Sequence, residues 1–111
     1  MTYYQLKDLR IHHAIRWQVY SLDPETQNEI EDIFDWLREG KHLGMPLSRP
    51  MPVIGRGTHE LRIKDSSRKF RIFYYTKHHD AILIFHMFQK TTRETPIHEI
   101  RLGKKRLKEM L

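Results

Sequence analysis

The sequence predicts a domain in which an antiparallel β-meander is flanked along the chain by helices. Three segments rich in Ile, Phe and Tyr, at 58–64, 69–76 and 81–88, are each separated from the next by four polar residues. Connections of that length between alternating segments are typical of antiparallel hairpins. With 111 residues, of which 39% are hydrophobic, the chain fits one domain with a modest core.

The loop lengths also predict which strand residues face each other. Counting back from the first loop sets Arg62 opposite Arg71, and counting back from the second sets His86 opposite Arg71. Because side chains alternate between the two faces of a sheet, one face is then apolar and forms the core. The predicted core residues of the sheet are Leu61, Ile63, Phe70, Ile72, Tyr74, Leu83, Phe85 and Met87.

A row of Arg62, Arg71 and His86 across the sheet needs an explanation, because opposed like charges destabilise a sheet by up to about 1 kcal/mol. In one interpretation, the arginine stems cover the sheet, their heads stay solvated, and Glu60 offsets their charge. In the other, the guanidinium groups form an anion site, since their geometry matches pairs of phosphate oxygens. The predicted register does not decide between these interpretations.

The strongest helix signal lies at 21–40. Asp23 can cap its first turn and Gly40 follows its last turn, with apolar residues recurring at helical spacing between them. A shorter helical stripe occupies 11–20, although a strand through 17–20 is also compatible with the pattern. We therefore expect one helix at 21–40, while 11–20 stays open between helix and strand.

The remaining segments are less regular. Residues 2–7 alternate weakly and predict a first strand, and 41–57 is punctuated by Gly and Pro, which predicts a loop lying against the sheet. After the meander, Thr95 and Pro96 are suited to begin a final helix. That helix carries an apolar stripe and many basic residues.

The charge distribution indicates a polyanionic partner. The net charge is +6, the acidic residues cluster between 23 and 39, and the basic residues concentrate after position 56. Such a basic face suits nucleic acid or an acidic protein.

Several chemistries are disfavoured by composition. The chain has no cysteine, which excludes thiolate catalysis and Cys-based zinc sites. Neighbouring histidines on an extended chain point to opposite faces, so the two His-His pairs do not predict a metal site. We expect neither metal nor cofactor. The chain also lacks an apolar run near the roughly 20 residues of a membrane span and an evident secretory signal, which favours the cytoplasm.

RNA contact is the chemistry that the predicted arginine face suits best, because aromatic rings stack bases and cations bind phosphates. In metal-independent RNA cleavage the 2′-hydroxyl attacks the adjacent phosphorus, which requires cations for the phosphorane charge and a group that moves protons. A histidine titrates in the useful range, although a structural role for a histidine at a strand end is the alternative. The predicted catalytic residues are Arg62, Arg71, His86 and Lys90, and the predicted RNA-binding residues are Lys64, Phe73, Tyr75, Phe88, Lys104 and Lys105.

Three segments resemble a known family. They read LSRPMPVIGRGTHELRIKD, FRIFYY and FHMFQKTTRETP, and they resemble the phage-related, RelE/HigB-like toxins of type II toxin–antitoxin modules. That family has an SRPM segment before a strand of the HELR type, a second strand of the YRVFYY type, and a Lys- and Thr-rich stretch before a basic terminal helix. The resemblance covers about residues 20–110.

The resemblance implies a single RelE/HigB-like toxin domain over 1–111. Its implied fold class is α+β and RelE-like, with two N-terminal helices packed on a small antiparallel sheet and a C-terminal helix. Its implied function is ribosome-dependent cleavage of mRNA, which inhibits translation. The implied partners are the ribosome, mRNA and a cognate antitoxin, of a helix-turn-helix, HigA-like type, that neutralises the toxin in a heteromer.

Two positions depart from the family pattern, where Thr91 and Glu94 replace lysines. The general-base tyrosine of some RelE-like toxins also has no counterpart after Lys90. Two alternatives to an active nuclease therefore stay open. One is a RelE/ParE-fold toxin that inhibits a protein such as gyrase by binding it, and the other is a degenerate toxin that only binds its antitoxin.

Overall fold

The computed structural model describes residues 6–111, and this part of the chain forms a five-stranded sheet and three helices. In chain order the elements are β1 (Asp8–Ile11), α1 (His13–Tyr20), α2 (Pro24–Arg38), β2 (Ser48–Pro50), β3 (Thr58–Lys64), β4 (Lys69–Tyr75), β5 (Ala81–Gln89) and α3 (Ile97–Met110). The strand order in the sheet is β1-β5-β4-β3-β2. None of the helices within the described residues has the length and apolar character needed to cross a membrane.

The expected fold class, with two N-terminal helices on a small antiparallel sheet, is wrong. β1 precedes both of the first two helices and pairs in parallel with β5, while the other strand pairs are antiparallel, so the sheet is mixed. Helices also cover both faces of the sheet rather than one. The predicted first strand at 2–7 falls mostly outside the described residues, and Leu6 and Lys7 are not in a strand.

The helix predicted at 21–40 is confirmed as α2, and the segment 11–20, which was open between helix and strand, contains the helix α1. In α1, Ile15 and Val19 are the buried residues. In α2, the Asp23 carboxylate accepts a hydrogen bond of 3.0 Å from the backbone N–H of Thr26, which is the predicted N-cap. Gly40, just beyond α2, has φ +84°, a conformation in which a side chain would be strained.

The register of the meander is predicted correctly for one strand pair and wrongly for the other. Arg62 lies opposite Arg71 between β3 and β4, as expected. Between β4 and β5, however, Arg71 lies opposite Phe88, and His86 lies opposite Phe73. The three residues expected in one row are therefore divided between two rows of the sheet.

A β-bulge in β5 accounts for part of this difference. Tyr74 pairs with Ile84 and Phe73 pairs with His86, so Phe85 has no partner across the ladder. An extra residue in one strand reverses the side-chain parity on one side of it. Ile84 consequently faces α1 and α2, whereas Phe85, which we expected there, faces α3.

The sheet thus separates two hydrophobic clusters. The larger one joins the sheet to α1 and α2, and the smaller one joins it to α3. The buried members of the smaller cluster are Met51, Ile54, Phe73, Ala81, Leu83, Phe85, Phe88 and Leu107. Gly103 lets α3 approach closely, because a Cβ there would be 3.0 Å from the Phe73 ring. The face that carries Arg62 and Arg71 is therefore partly covered by α3.

Candidate functional site

A fully buried carboxylate on β3 holds three arginines together. One oxygen of Glu60, Oε1, lies 3.1 Å from Nε of Arg49, 3.7 Å from Nε of Arg62 and 3.5 Å from Nε of Arg71. Its other oxygen, Oε2, accepts a hydrogen bond of 3.3 Å from the hydroxyl of Thr95. We call Glu60 with Arg49, Arg62 and Arg71 the arginine cluster.

Three adjacent strands bring these side chains together. Arg49 on β2 is the pairing partner of Glu60 on β3, and Arg62 follows two residues later on the same face of β3. Arg71 on β4 is the pairing partner of Arg62. The alternation of side chains along neighbouring strands therefore directs all three guanidinium groups to one carboxylate.

The cluster carries more positive than negative charge. Three arginines against Glu60 leave a net charge of +2 at a partly buried position, where Arg71 has only 11% of its side chain exposed. Burial lowers the pKa of the Arg71 guanidinium, Glu60 raises it, and Arg62 and Arg49 lower it further. Since an arginine stays protonated at neutral pH regardless, the excess charge is suited to attract an anion.

Lys90 adds a fourth cation at the end of β5. Burial lowers the pKa of the Lys90 ammonium, Glu60 raises it, and the three cluster arginines lower it. The backbone N–H of Lys90 donates to the carbonyl of Lys69 at 2.7 Å, and Nζ donates to the carbonyl of Arg93 at 3.1 Å. These bonds fix Lys90 beside the arginine cluster.

An open cleft of about 550 Å³ runs along this part of the molecule, and we call it the basic cleft. It is lined by Ser67, Arg68, Lys69, Arg71, Gln89, Lys90, Thr91, Thr92 and Arg93. Among these described residues, five are basic and none is acidic. Arg71 and Lys69 also line a second cleft of about 350 Å³, with Pro46, Leu47 and Ile63. The arrangement can bind an extended polyanion with one phosphate at the arginine cluster.

His86 lies in the interface with α3 rather than in the arginine cluster. Only 2% of the residue is exposed. Its Nδ1 lies 2.9 Å from Nη1 of Arg106, and its Nε2 lies 3.1 Å from Oε1 of Glu99. Because a guanidinium can only donate, Nδ1 accepts from Arg106, and Nε2 carries the proton and donates to Glu99. This geometry favours the structural alternative for His86, in which it anchors α3 to the sheet.

Two of the three aromatic residues that we predicted to stack bases do not offer accessible rings. Phe73 and Phe88 are buried in the cluster under α3, with 0% and 6% of the residue exposed, and the partly buried Tyr75 packs against the same cluster. The docking of α3 is responsible, and it cannot be read from local alternation. The predicted phosphate contacts Lys64, Lys104 and Lys105 are exposed.

Two members of the site, Arg49 and Glu60, were not predicted from the sequence. Arg49 lies in the segment 41–57, which we expected to be a loop, but three of its residues form β2. Glu60 was considered only as a charge that offsets arginines on the surface, whereas it is fully buried. The SRPM segment was the available signal for Arg49, although a strand of three residues is too short to show alternation. Within residues 6–111, no group of three or more His, Asp or Glu side chains is arranged to hold a metal ion.

We expect the stability of the protein to depend on pH through His86. Burial lowers the pKa of its imidazole below 6.5, Glu99 raises it, and Arg106 and His12 lower it. The unfolded chain therefore binds this proton more readily, so the contribution to stability is complete above pH about 6.5 and declines as the pH falls below it.

The measurement is urea unfolding at pH 7.5 and pH 5 for the wild type and His86→Leu. At pH 7.5 the variant should be less stable by about 1–3 kcal/mol, because Glu99 and Arg106 lose their partner. As the pH falls from 7.5 to 5, His86→Leu should lose less stability than the wild type, because the variant lacks the buried imidazole. His42→Leu, at an exposed position between α2 and β2, serves as the control. An equal loss in the wild type and His86→Leu would contradict the expectation.

Together, the mixed sheet and the arginine cluster define a small basic domain with surplus positive charge around one buried carboxylate. The chain belongs to the family described as Phage derived protein Gp49-like (DUF891), whose model matches residues 18–108. This range includes the whole arginine cluster and Lys90. The family is associated with the toxins of toxin–antitoxin modules, and it suggests an antitoxin as a partner. No curated protein is significantly similar to the chain.

Proposed function

We propose that this protein is a RelE/HigB-like toxin of a type II toxin–antitoxin module and cleaves mRNA on the ribosome. The observation that carries the proposal is the convergence of Arg49, Arg62 and Arg71 on Glu60 at the side of the basic cleft. Surplus guanidinium charge next to an open, cationic cleft suits the phosphodiester backbone of a single-stranded RNA.

In this proposal the arginines stabilise the transition state. When the 2′-hydroxyl attacks the adjacent phosphorus, negative charge accumulates on the non-bridging oxygens of the phosphorane. Arg62 and Arg71 are cations whose positions are set before the reaction by Glu60 and by the sheet, so they require little reorganisation as the charge develops. Their interaction is stronger in the transition state than in the ground state, which is the condition for catalysis.

Lys90 is the group that we assign to proton transfer. Burial and the neighbouring arginines lower the pKa of its ammonium from the usual 10.5, which increases the fraction of neutral amine at a given pH. Only the neutral amine can accept the proton of the 2′-hydroxyl. His86 has both ring nitrogens engaged by α3 and is assigned to positioning that helix.

One of the two departures from the toxin pattern, Thr91, lines the basic cleft, and Arg93 supplies a cation to the same cleft. Glu94 is exposed. Lys64, Lys104 and Lys105 are also exposed, and in the proposal they contact the RNA backbone or the ribosome. The antitoxin, of a helix-turn-helix type, would neutralise the toxin in the cytoplasm by covering this basic surface.

The test is induced expression in a bacterial host, with growth followed and the 5′ ends of ribosome-bound mRNA mapped by primer extension. We expect growth arrest, new cut sites within translated regions, and rescue by co-expression of the antitoxin gene from the same operon. Arg16→Ala, at an exposed position on α1 outside the cleft, should behave as the wild type. Growth arrest without any cut site would overturn the proposal and favour a toxin that inhibits a protein by binding.

A further inference from the structure

The three cluster arginines contact Glu60 through the same atom. In Arg49, Arg62 and Arg71 it is Nε that lies nearest Oε1, at 3.1, 3.7 and 3.5 Å. Nε of Arg49 donates a hydrogen bond to Oε1, whereas the Nε atoms of Arg62 and Arg71 are shielded from solvent, make no hydrogen bond within residues 6–111 and contact the carboxylate through charge alone. The inner edge of each guanidinium group is therefore turned toward the carboxylate.

This mode of contact has a consequence for the remaining donors. A guanidinium group has five N–H donors, one on Nε and two on each Nη. A carboxylate on the Nε side leaves the edge formed by the two Nη atoms available to another ligand. The geometry of that edge suits the oxygens of a second anion. Of the Nη atoms of Arg71, Nη1 donates to the carbonyl of Phe70 at 3.0 Å, which fixes the orientation of the plane.

Another ion pair on the same hairpin shows the contrast. Arg68 contacts Asp65 through two atoms, with Nε at 2.9 Å and Nη2 at 2.7 Å from Oδ2. Its carboxylate also accepts from the backbone N–H groups of Ser67 and Arg68, as in a local turn. Asp65 therefore serves the turn between β3 and β4, whereas Glu60 is shared among three strands.

We propose that Glu60 is a positioning residue, whose buried negative charge draws the Nε sides of the cluster arginines toward it and thereby presents their Nη edges to a phosphodiester group. The proposal rests on the function proposed above and specifies its anion site. Glu60 touches no substrate and acts through the arginines. The negative charge of Glu60 lowers the attraction of the site for a phosphate. The same charge keeps the guanidinium groups in a fixed arrangement.

Glu60→Gln separates these two effects, because it removes the charge and keeps the shape. The net charge of the cluster rises from +2 to +3, so binding of a non-cleavable anion should be as tight as in the wild type or tighter. Cleavage, by contrast, depends on the placement of the arginines, and a misplacement of about 1 Å costs on the order of a hundredfold in rate. The expected signature is a kcat lowered about 10- to 100-fold with KM unchanged or lowered.

The experiment combines a direct readout of the arginines with binding and activity. Arginine Nε–H signals in ¹⁵N-resolved NMR report on solvent exchange in the wild type, Glu60→Gln and the matched control Asp65→Asn. We expect Arg62 and Arg71 to lose protection in Glu60→Gln alone, and Arg68 to lose it in Asp65→Asn alone.

Binding is measured with a single-stranded DNA 12-mer, which lacks the 2′-hydroxyl, at constant salt. Glu60→Asp, which retains the charge on a shorter stem, should be intermediate and covers the case in which Glu60→Gln does not fold.

The outcomes separate this inference from the proposed function. Unchanged Nε–H protection in Glu60→Gln overturns the inference, and so does weaker DNA binding with kcat unchanged. A wild type that binds the DNA but cuts no RNA overturns the nuclease proposal. Loss of Nε–H protection with retained DNA binding would still support Glu60 as the residue that positions the anion site.

Discussion

Arg71→Met is expected to abolish mRNA cleavage, with a loss of at least about a hundredfold in rate and no growth arrest. Removal of one preorganised donor to a developing negative charge typically costs about 3–4 kcal/mol of transition-state stabilisation. Arg71 is the most buried of the cluster arginines, and it lines both clefts. Methionine retains much of the buried stem, so the loss should come from the guanidinium group.

The control for Arg71→Met is a thermal melting curve, because the substitution removes one ion pair from the buried Glu60 and could lower the stability of the fold. Glu60 keeps Arg49 and Arg62, so we expect a folded protein with a modestly lowered Tm. Arg71→Lys should recover only part of the rate, because an ammonium cannot reproduce the donor fork of a guanidinium. Full cleavage by a folded Arg71→Met protein would contradict the role of the arginine cluster.

Lys90→Arg should lose about 10²- to 10⁴-fold in cleavage rate, although it preserves the positive charge. The reason is that an arginine does not give up its proton at accessible pH, so it cannot act as a base. In the wild type, kcat should rise with pH and level off below 10.5, because burial lowers the pKa of Lys90. That rising limb should be absent from Lys90→Arg.

Lys90→Met distinguishes charge from proton transfer at this position. If Lys90 accepts the proton, the arginine and methionine variants should be similarly inactive, while both bind a non-cleavable DNA 12-mer. Lys108→Arg, at an exposed position on α3, controls for the general effect of exchanging a lysine for an arginine. Near wild-type cleavage by Lys90→Arg would mean that Lys90 contributes only charge.

The parts of the fold that the sequence predicts well are those encoded by neighbouring residues. The N-cap at Asp23 requires only a carboxylate at the start of an apolar periodic segment, and the structure has that bond. The pairing of Arg62 with Arg71 follows from one short turn, because few residues lie between them. Local chemistry is sufficient for both.

The parts that the sequence did not predict depend on contacts between distant segments. The parallel pairing of β1 with β5 joins residues more than 70 positions apart, and four residues at Asp8–Ile11 contain no sign of that direction. The bulge at Phe85 cannot be detected from alternation either, since every residue of β5 up to Phe88 except His86 is apolar. The first feature produces the mixed sheet, and the second turns Phe85 toward α3.

The contacts of the candidate site also include some that local sequence predicts and some that depend on distant segments. Arg62 and Arg71 meet through a hairpin, and Lys90 joins them because β5 continues beside β4. Arg49 enters through a strand of three residues that pairs with β3 and brings it to Glu60. That contact was not predictable from periodicity.

The measurement that tests the central claim most directly is the chemistry of the RNA ends produced by the purified toxin on ribosome-bound mRNA. Attack by the 2′-hydroxyl at a phosphodiester held by the arginine cluster leaves a 2′,3′-cyclic phosphate and a 5′-hydroxyl. We expect these ends from the wild type and none from Arg71→Met. Ends with a 5′-phosphate and a 3′-hydroxyl would contradict the account.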